Sequence, residues 1–211
     1  MASFVVRSLA ELGAALSFAP ERQKASRLAS GGIPLAELVT ERIERASAAQ
    51  AGGAVVLDTT HASDGILDLG AAMRARAAPR SAKKRVATGD LLVSRLRPYL
   101  RQIALAHPAA LAACRGRPLL CSTEYIVLCP RRPADDVAFL LPFFLDEATQ
   151  AFLAAGQEGG HHPRVPVDTL FRLRVPEVVF LARKESSRRV RAALAAAYRA
   201  SALVSRAMRL G

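Results

Sequence analysis

The side chains best suited to chemistry in this sequence are basic ones on either side of a short apolar run. Guanidinium groups bind phosphate oxygens, and the fork of an arginine also matches the O6/N7 edge of guanine. Together these residues predict an anion-binding surface, with a solvated loop as the alternative for the lysine-containing group. Those before the run are Lys83, Lys84 and Arg85, and those after it are Arg95, Arg97 and Arg101.

A second polar stretch, residues 156–165, combines three glycines with His161, His162 and Arg164. Adjacent histidines in a glycine loop point in different directions, and no nearby cysteine or third histidine completes a metal-binding set. We therefore expect neither a metal nor another cofactor. Glycines permit a loop to approach a backbone closely, and Arg164 suits contact with a phosphate there.

The sequence contains no pattern typical of an enzyme active site. Ser94, Ser122 and Thr123 have no sequence-defined histidine or acid partner, and phosphate-loop, methyltransferase and nuclease signatures are missing. Asp90 and Glu124 are single acids beside strands, where carboxylates usually cap loops or accept backbone hydrogen bonds. We expect no catalytic activity. A hydrolase would require a pocket that gathers Asp90, Glu124 and a histidine.

Two short strands are expected to position the basic residues. Leu91–Val93 follows a Gly89-Asp90 turn signal, and Tyr125–Leu128 is β-branched and aromatic up to Pro130. Both runs are apolar throughout, which predicts a sheet covered on both faces. A basic loop would join the two strands.

The remaining patterns complete an α+β fold with flanking helices. Ala54–Leu57 and Val175-Pro176 are predicted strands, and the basic segment up to Arg85 is predicted to be a loop. Aromatic residues at helical spacing between Val137 and Ala155 indicate a core rather than a base-stacking platform. An N-terminal segment, 1–53, is predicted to hold a helix over residues 6–16 and a second one that opens at Pro34. The apolar side of that second helix would carry Leu35, Leu38, Val39 and Ile43.

Three motifs in this order resemble a known family. They are the run Gly89–Leu100, the run Cys121–Leu128, and Pro163–Val165 followed by Leu170–Pro176. They are similar to the target-recognition domain of DNA-specificity subunits from type I restriction-modification enzymes. The resemblance covers roughly Ala54 to Pro176 and implies a mixed β-sheet domain over 54–180.

The resemblance also carries functional expectations. It implies sequence-specific binding of double-stranded DNA, with methyltransferase and nuclease subunits as partners that carry the catalysis, and it places the glycine loop near DNA. The chain departs from the family after Pro176, where Glu-Val-Val-Phe-Leu-Ala-Arg-Lys replaces the usual Pro-Leu and a Gln-containing helix start.

Charge and composition agree with a polyanionic partner. Thirty basic against 18 acidic side chains give a net charge of +12, although a solubilising arginine-rich surface is an alternative. The three cysteines, Cys114, Cys121 and Cys129, fit neither a disulfide framework nor a zinc site, so we expect reduced thiols. No apolar run approaches the roughly 20 residues that span a bilayer, which predicts a cytoplasmic protein.

The last segment, 181–211, is predicted to be a long coiled-coil-like helix. Six positions follow heptad spacing: Val190, Leu194, Ala197, Ser201, Val204 and Met208. This seam could pair with a second copy, or it could pack back on its own domain.

With one recognition domain and one helix, the chain resembles half of a specificity subunit. A homodimer through the helix would restore the whole and would recognise a palindromic, bipartite site. About 24 helical residues from Ser187 to Leu210 span roughly 36 Å, which matches about one turn of DNA, roughly 34–36 Å. An adaptor that uses the same fold to bind a protein is the alternative function.

Overall fold

The computed structural model describes residues 31–75, 81–161 and 163–208, and these form an α+β fold. The helix predicted for residues 6–16 lies outside them. The strands, in chain order, are β1 (Ile33–Pro34), β2 (Val39–Glu41), β3 (Arg45–Ala46), β4 (Val55–Leu57), β5 (Ala62–Ser63), β6 (Ile66–Leu67), β7 (Lys83–Arg85), β8 (Leu91–Ser94), β9 (Ile103–Leu105), β10 (Leu119–Cys121), β11 (Tyr125–Pro130) and β12 (Arg174–Val175). The α-helices are α1 (Leu35–Leu38), α2 (Leu69–Arg74), α3 (Pro108–Ala113), α4 (Leu140–Leu145), α5 (Glu147–Ala155), α6 (Val167–Phe171), α7 (Glu177–Leu181) and α8 (Arg183–Ala207), with 3-10 turns at Thr59–His61 and Pro98–Leu100.

The central sheet is antiparallel and has the strand order β2-β11-β8-β9. Successive side chains of β8 enter different cores, since Leu91 and Val93 belong to one and Leu92 to the other. The prediction of a sheet covered on both faces is therefore confirmed. Burial of each large apolar side chain contributes about 1.5–3 kcal/mol, so these two cores are what fix the positions of the strand ends.

A second sheet has the order β3-β7-β10-β4, in which β10 is parallel to β4 and antiparallel to β7. β4 confirms the strand predicted at Ala54–Leu57. The prediction that the segment before the central strand is a loop throughout is wrong for Lys83–Arg85, which form β7. Because β10 and β11 belong to different sheets, the turn at residues 122–124 joins the two sheets.

The helix predicted from Pro34 is shorter than its apolar pattern indicated. α1 ends at Leu38, because Val39 turns to an extended conformation (φ −134°) and begins the pairing of β2 with β11. Ile43 consequently lies outside any helix and is 75% exposed. Residues 39–46 supply strands to both sheets, although the predicted domain started only at Ala54.

The aromatic stripe between Val137 and Ala155 belongs to the core, as predicted. Phe139, Phe143 and Phe144 are buried on the central sheet, and Phe152 packs against them. The stripe forms two helices, however, because Asp146 caps α5 by accepting a hydrogen bond from the Ala148 amide. α5 then packs against the 3-10 turn at Pro98–Leu100.

The predicted long C-terminal helix is present as α8, and it divides into two parts. Its first half packs on the domain through Val190 and Leu194, and the Tyr198 hydroxyl accepts a hydrogen bond of 2.9 Å from the Leu67 amide. The residues from Arg199 onward are exposed. Among the described residues, no helix is both long and apolar enough to cross a membrane.

The heptad seam is therefore not a single dimerisation surface, in contrast to the prediction. Val190 and Leu194 are occupied by the core of their own domain, and Ala197 is half-buried. Ser201, Val204 and Met208 remain exposed. The alternative of a helix that packs back on its own domain describes the first half of α8.

Candidate nucleic-acid interface

Three loops meet at one end of the central sheet. β8 ends at Ser94 directly opposite Tyr125, the first residue of β11. The loop that follows β8 therefore lies beside the β10–β11 turn. The third loop, which ends at Val165, reaches them through hydrogen bonds from Arg164 and Val165.

Arg95 ties the three loops to one another. Its amide donates to the Glu124 carbonyl at 2.8 Å, and its own carbonyl accepts from the Val165 amide at 2.9 Å. Its guanidinium Nε donates to the Val165 carbonyl at 3.0 Å. Arg95 was predicted to bind phosphate, but its side chain is half-buried. Its Nε hydrogen bond to Val165 instead holds the end of the glycine loop in place.

An ion pair between Glu124 and Arg164 forms a second link between the β10–β11 turn and the glycine loop. The arginine grips the carboxylate with two nitrogens, Nε at 2.9 Å from Oε2 and Nη2 at 2.7 Å from Oε1. The hydrogen bond from Arg164, assisted by its positive charge, lowers the pKa of Glu124, against the opposing effect of partial burial. The carboxylate thus stays ionised at neutral pH and neutralises part of the Arg164 charge.

The loop after β8 is a tight turn with an unusual backbone. Arg97 and Arg101, on either side of the 3-10 turn, both have left-handed conformations (φ 44° and 51°). Such conformations are costly for residues with a side chain, of the order of 1–2 kcal/mol each. Pro98 is buried beneath the turn, while Tyr99 and Leu100 are 68% and 41% exposed.

The two arginines of this turn differ in their electrostatic partners. Arg101 Nε lies 2.7 Å from Asp64 Oδ1 in the β5–β6 turn, and both side chains are exposed. Arg97 is exposed and has no carboxylate partner among the described residues. Of the two arginines of this turn, Arg97 is consequently the one whose charge is more available to an anion.

The glycine loop is a narrow hairpin. Glu158 and Arg164 exchange backbone hydrogen bonds of 2.8 and 2.9 Å, and Gly159 supplies the positive φ (103°) that the turn between them requires. His161 is exposed at its tip, and His162 lies outside the described residues. In the described part of the chain, no group of three His, Cys, Asp or Glu side chains is arranged to hold a metal ion.

The lysine-containing group lies on β7, in the second sheet, and its members have different surroundings. The Lys84 ammonium is buried, where it donates to Glu41 Oε1 at 2.7 Å and to the Tyr125 carbonyl at 2.6 Å. The predicted phosphate contact for Lys84 is therefore replaced by a structural role beneath the β10–β11 turn. Lys83 is half-buried with its Nζ on Ser81 Oγ, and Arg85 is exposed.

Both single acids satisfy donors of the fold, as the sequence predicted. Asp90 accepts from Arg42 Nε at 2.7 Å and from the Ala87 amide at 2.7 Å. It precedes β8 whereas Glu124 precedes β11, and these strands are antiparallel, so the two acids lie at opposite ends of the sheet. They do not form the shared pocket that a hydrolase would require.

Sequence reasoning missed Tyr99 and Leu100 as candidates for the site. Their position between two arginines, directly after a proline, was the one signal for them in the sequence. The left-handed backbone of Arg97 and Arg101, which exposes them, has no sequence signature. Models of known protein families give no match to this chain, and neither do curated proteins.

Proposed function

We propose that this protein binds double-stranded DNA sequence-specifically, as the specificity subunit of a type I-like restriction-modification or related phage-defence system. It has no catalysis of its own in this proposal, and methyltransferase and nuclease partners supply the chemistry. The observation that carries the proposal is the fixed surface in which Arg95 and the Glu124–Arg164 pair join three loops.

This surface offers the two kinds of group that DNA readout needs. Arg97 offers positive charge for phosphate oxygens, while Asp64 offsets part of the Arg101 charge, and the loops hold further side chains at defined positions for base edges. The net charge of +12 supports a polyanionic partner. Hydrogen bonds within the surface mean that little loop ordering has to accompany binding, which favours affinity.

A homodimer remains part of the proposal, with a smaller contact than the full heptad seam. The large exposed apolar residues beyond Tyr198 are Leu203 and Val204 on α8 and Met208 at its C-cap. Two copies that pair there would present two recognition surfaces related by a two-fold axis, and hence would select a palindromic, bipartite site.

The test is selection from a pool of random duplexes by the purified full chain, at two salt concentrations, followed by sequencing. We expect an enriched bipartite palindrome. Salt-sensitive binding without a motif would reduce the proposal to a basic surface on phosphates. Absence of binding would reject it in favour of a protein-binding adaptor.

Arg97→Ala and Arg115→Ala form a matched pair for this test. Both arginines are exposed and left-handed (φ 44° and 52°). Arg115 lies before β10, however, whereas the turn beside the Arg97 loop comes after β10. We expect Arg97→Ala to weaken binding and to reduce the salt dependence by about one ion, with Arg115→Ala close to the unsubstituted protein. Equal effects of the two substitutions would count against this surface.

A further inference from the structure

Tyr99 and Leu100 are two neighbouring apolar side chains at the tip of the turn between Arg97 and Arg101. Single exposed hydrophobic residues are common on proteins and need no explanation. Here, however, two exposed neighbours lie directly between two exposed arginines, on the 3-10 turn that follows β8.

The backbone beneath the pair is held in place at a cost. Both flanking arginines are left-handed, at φ 44° and 51°. The turn is fixed from below by the buried Pro98, by Ser94 Oγ, which accepts from the Leu96 amide at 3.1 Å, and by the Arg101–Asp64 pair. The Tyr99 ring, which this costly turn holds outward, is largely outside the core. α5 packs against this turn, yet the Tyr99 ring remains 68% exposed. A costly backbone that holds an exposed ring in place points to function.

We infer that Tyr99 and Leu100 are specificity residues that contact thymine 5-methyl groups in the major groove. This inference rests on the proposed function. An apolar side chain distinguishes thymine by its methyl group, whereas arginines on either side would engage phosphates or guanine. The major groove is wide enough to admit an α-helix, so it has room for this short turn, and it is the groove in which thymine displays its methyl group.

The arrangement divides the work between neighbouring residues. Arg97 binds the duplex through charge, which any sequence satisfies, Arg101 holds the turn through Asp64, and the apolar tip discriminates among sequences. Loss of the tip should therefore remove preference at particular base pairs while salt-dependent binding to unrelated DNA persists.

The experiment uses the enriched duplex and a series in which each thymine in turn is replaced by deoxyuridine, which lacks only the methyl group. For the unsubstituted protein we expect affinity to fall about fourfold at one or two thymines of each half-site, the transfer value of one buried methyl-sized group. Tyr99→Ala and Leu100→Ala should bind the thymine and deoxyuridine duplexes equally at those positions. Leu181→Ala, at an exposed leucine on α7, is the matched control and should discriminate like the unsubstituted protein.

The outcomes separate this inference from the proposed function. An enriched motif without thymine, or discrimination that survives in both Tyr99→Ala and Leu100→Ala, would overturn the inference and leave sequence-specific binding intact. Failure to enrich any motif would overturn both. Unchanged binding of the variants to unrelated duplexes excludes misfolding as the source of lost discrimination.

Discussion

Glu124 and Arg164 are 40 positions apart in the chain, and they form a two-pronged ion pair that fastens the glycine loop to the β10–β11 turn. The pair lies at the edge of the proposed interface rather than in the core. Its contribution to the global free energy of unfolding is therefore small, because water screens exposed ion pairs. Its effect should be local, on the position of residues 156–165.

The first prediction concerns Glu124→Gln. Without the charge, the grip on Arg164 weakens, and we expect trypsin to cleave the native protein after Arg164 several times faster, with little change in the unfolding temperature. Mass spectrometry of timed digests measures this. Glu158→Gln is the control, because Glu158 holds the same loop through its backbone. Equal cleavage of the two variants would show that the ion pair does not fix the loop.

The second prediction is the pH dependence of the same pair. Arg164 lowers the pKa of Glu124 in the folded protein below its ordinary value of 4.5. The stabilisation is therefore fully present above that value and is lost as the pH falls through the lower, folded pKa. The difference in unfolding free energy between the unsubstituted protein and Glu124→Gln should be present at pH 7 and should shrink progressively as the pH falls below 4.5. A difference that persists undiminished at pH 3 would rule out this origin.

Local patterns predicted the strands because their side chains are buried on both faces. Leu91–Val93 and Tyr125–Leu128 are apolar without alternation, and the two cores on either side of β8 and β11 require this. The aromatic stripe likewise follows from burial. Where a segment is buried on all sides, its apolar composition alone is enough to predict that it belongs to the core.

The misassigned residues are those whose environment depends on distant partners. Lys84 follows a polar stretch in the sequence, yet β7 lies between β3 and β10 and brings its ammonium to Glu41, 43 positions away. The heptad spacing of Val190 and Leu194 is compatible both with a contact between two chains and with packing in the core of one chain. Periodicity identifies the apolar face of a helix but not what covers it.

The third prediction separates Lys84 from Lys83. Lys84→Met leaves Glu41 in a partly buried site without its cation, and removal of one partner from such a pair typically costs about 3–5 kcal/mol when burial is complete. We expect a clear loss of stability in chemical denaturation, below that limit because the Glu41 side chain is 19% exposed. Lys83→Met should leave stability within about 0.5 kcal/mol. If the two variants were equally stable, the ammonium of Lys84 would have no structural role.

The fourth prediction divides α8 at Tyr198. Leu194 is buried in the core, so Leu194→Ala should lower the free energy of unfolding by about 2–5 kcal/mol. The unfolding temperature should fall by roughly 2–4 °C per kcal/mol for a chain of this size.

Val204 is 61% exposed, and Val204→Asp should leave the unfolding temperature of dilute protein unchanged. The same substitution should weaken self-association in analytical ultracentrifugation, because a charge would enter the contact between copies. A protein that stays monomeric at tens of micromolar before any substitution would contradict the dimer, and destabilisation by Val204→Asp would show that the end of α8 also packs on its own domain.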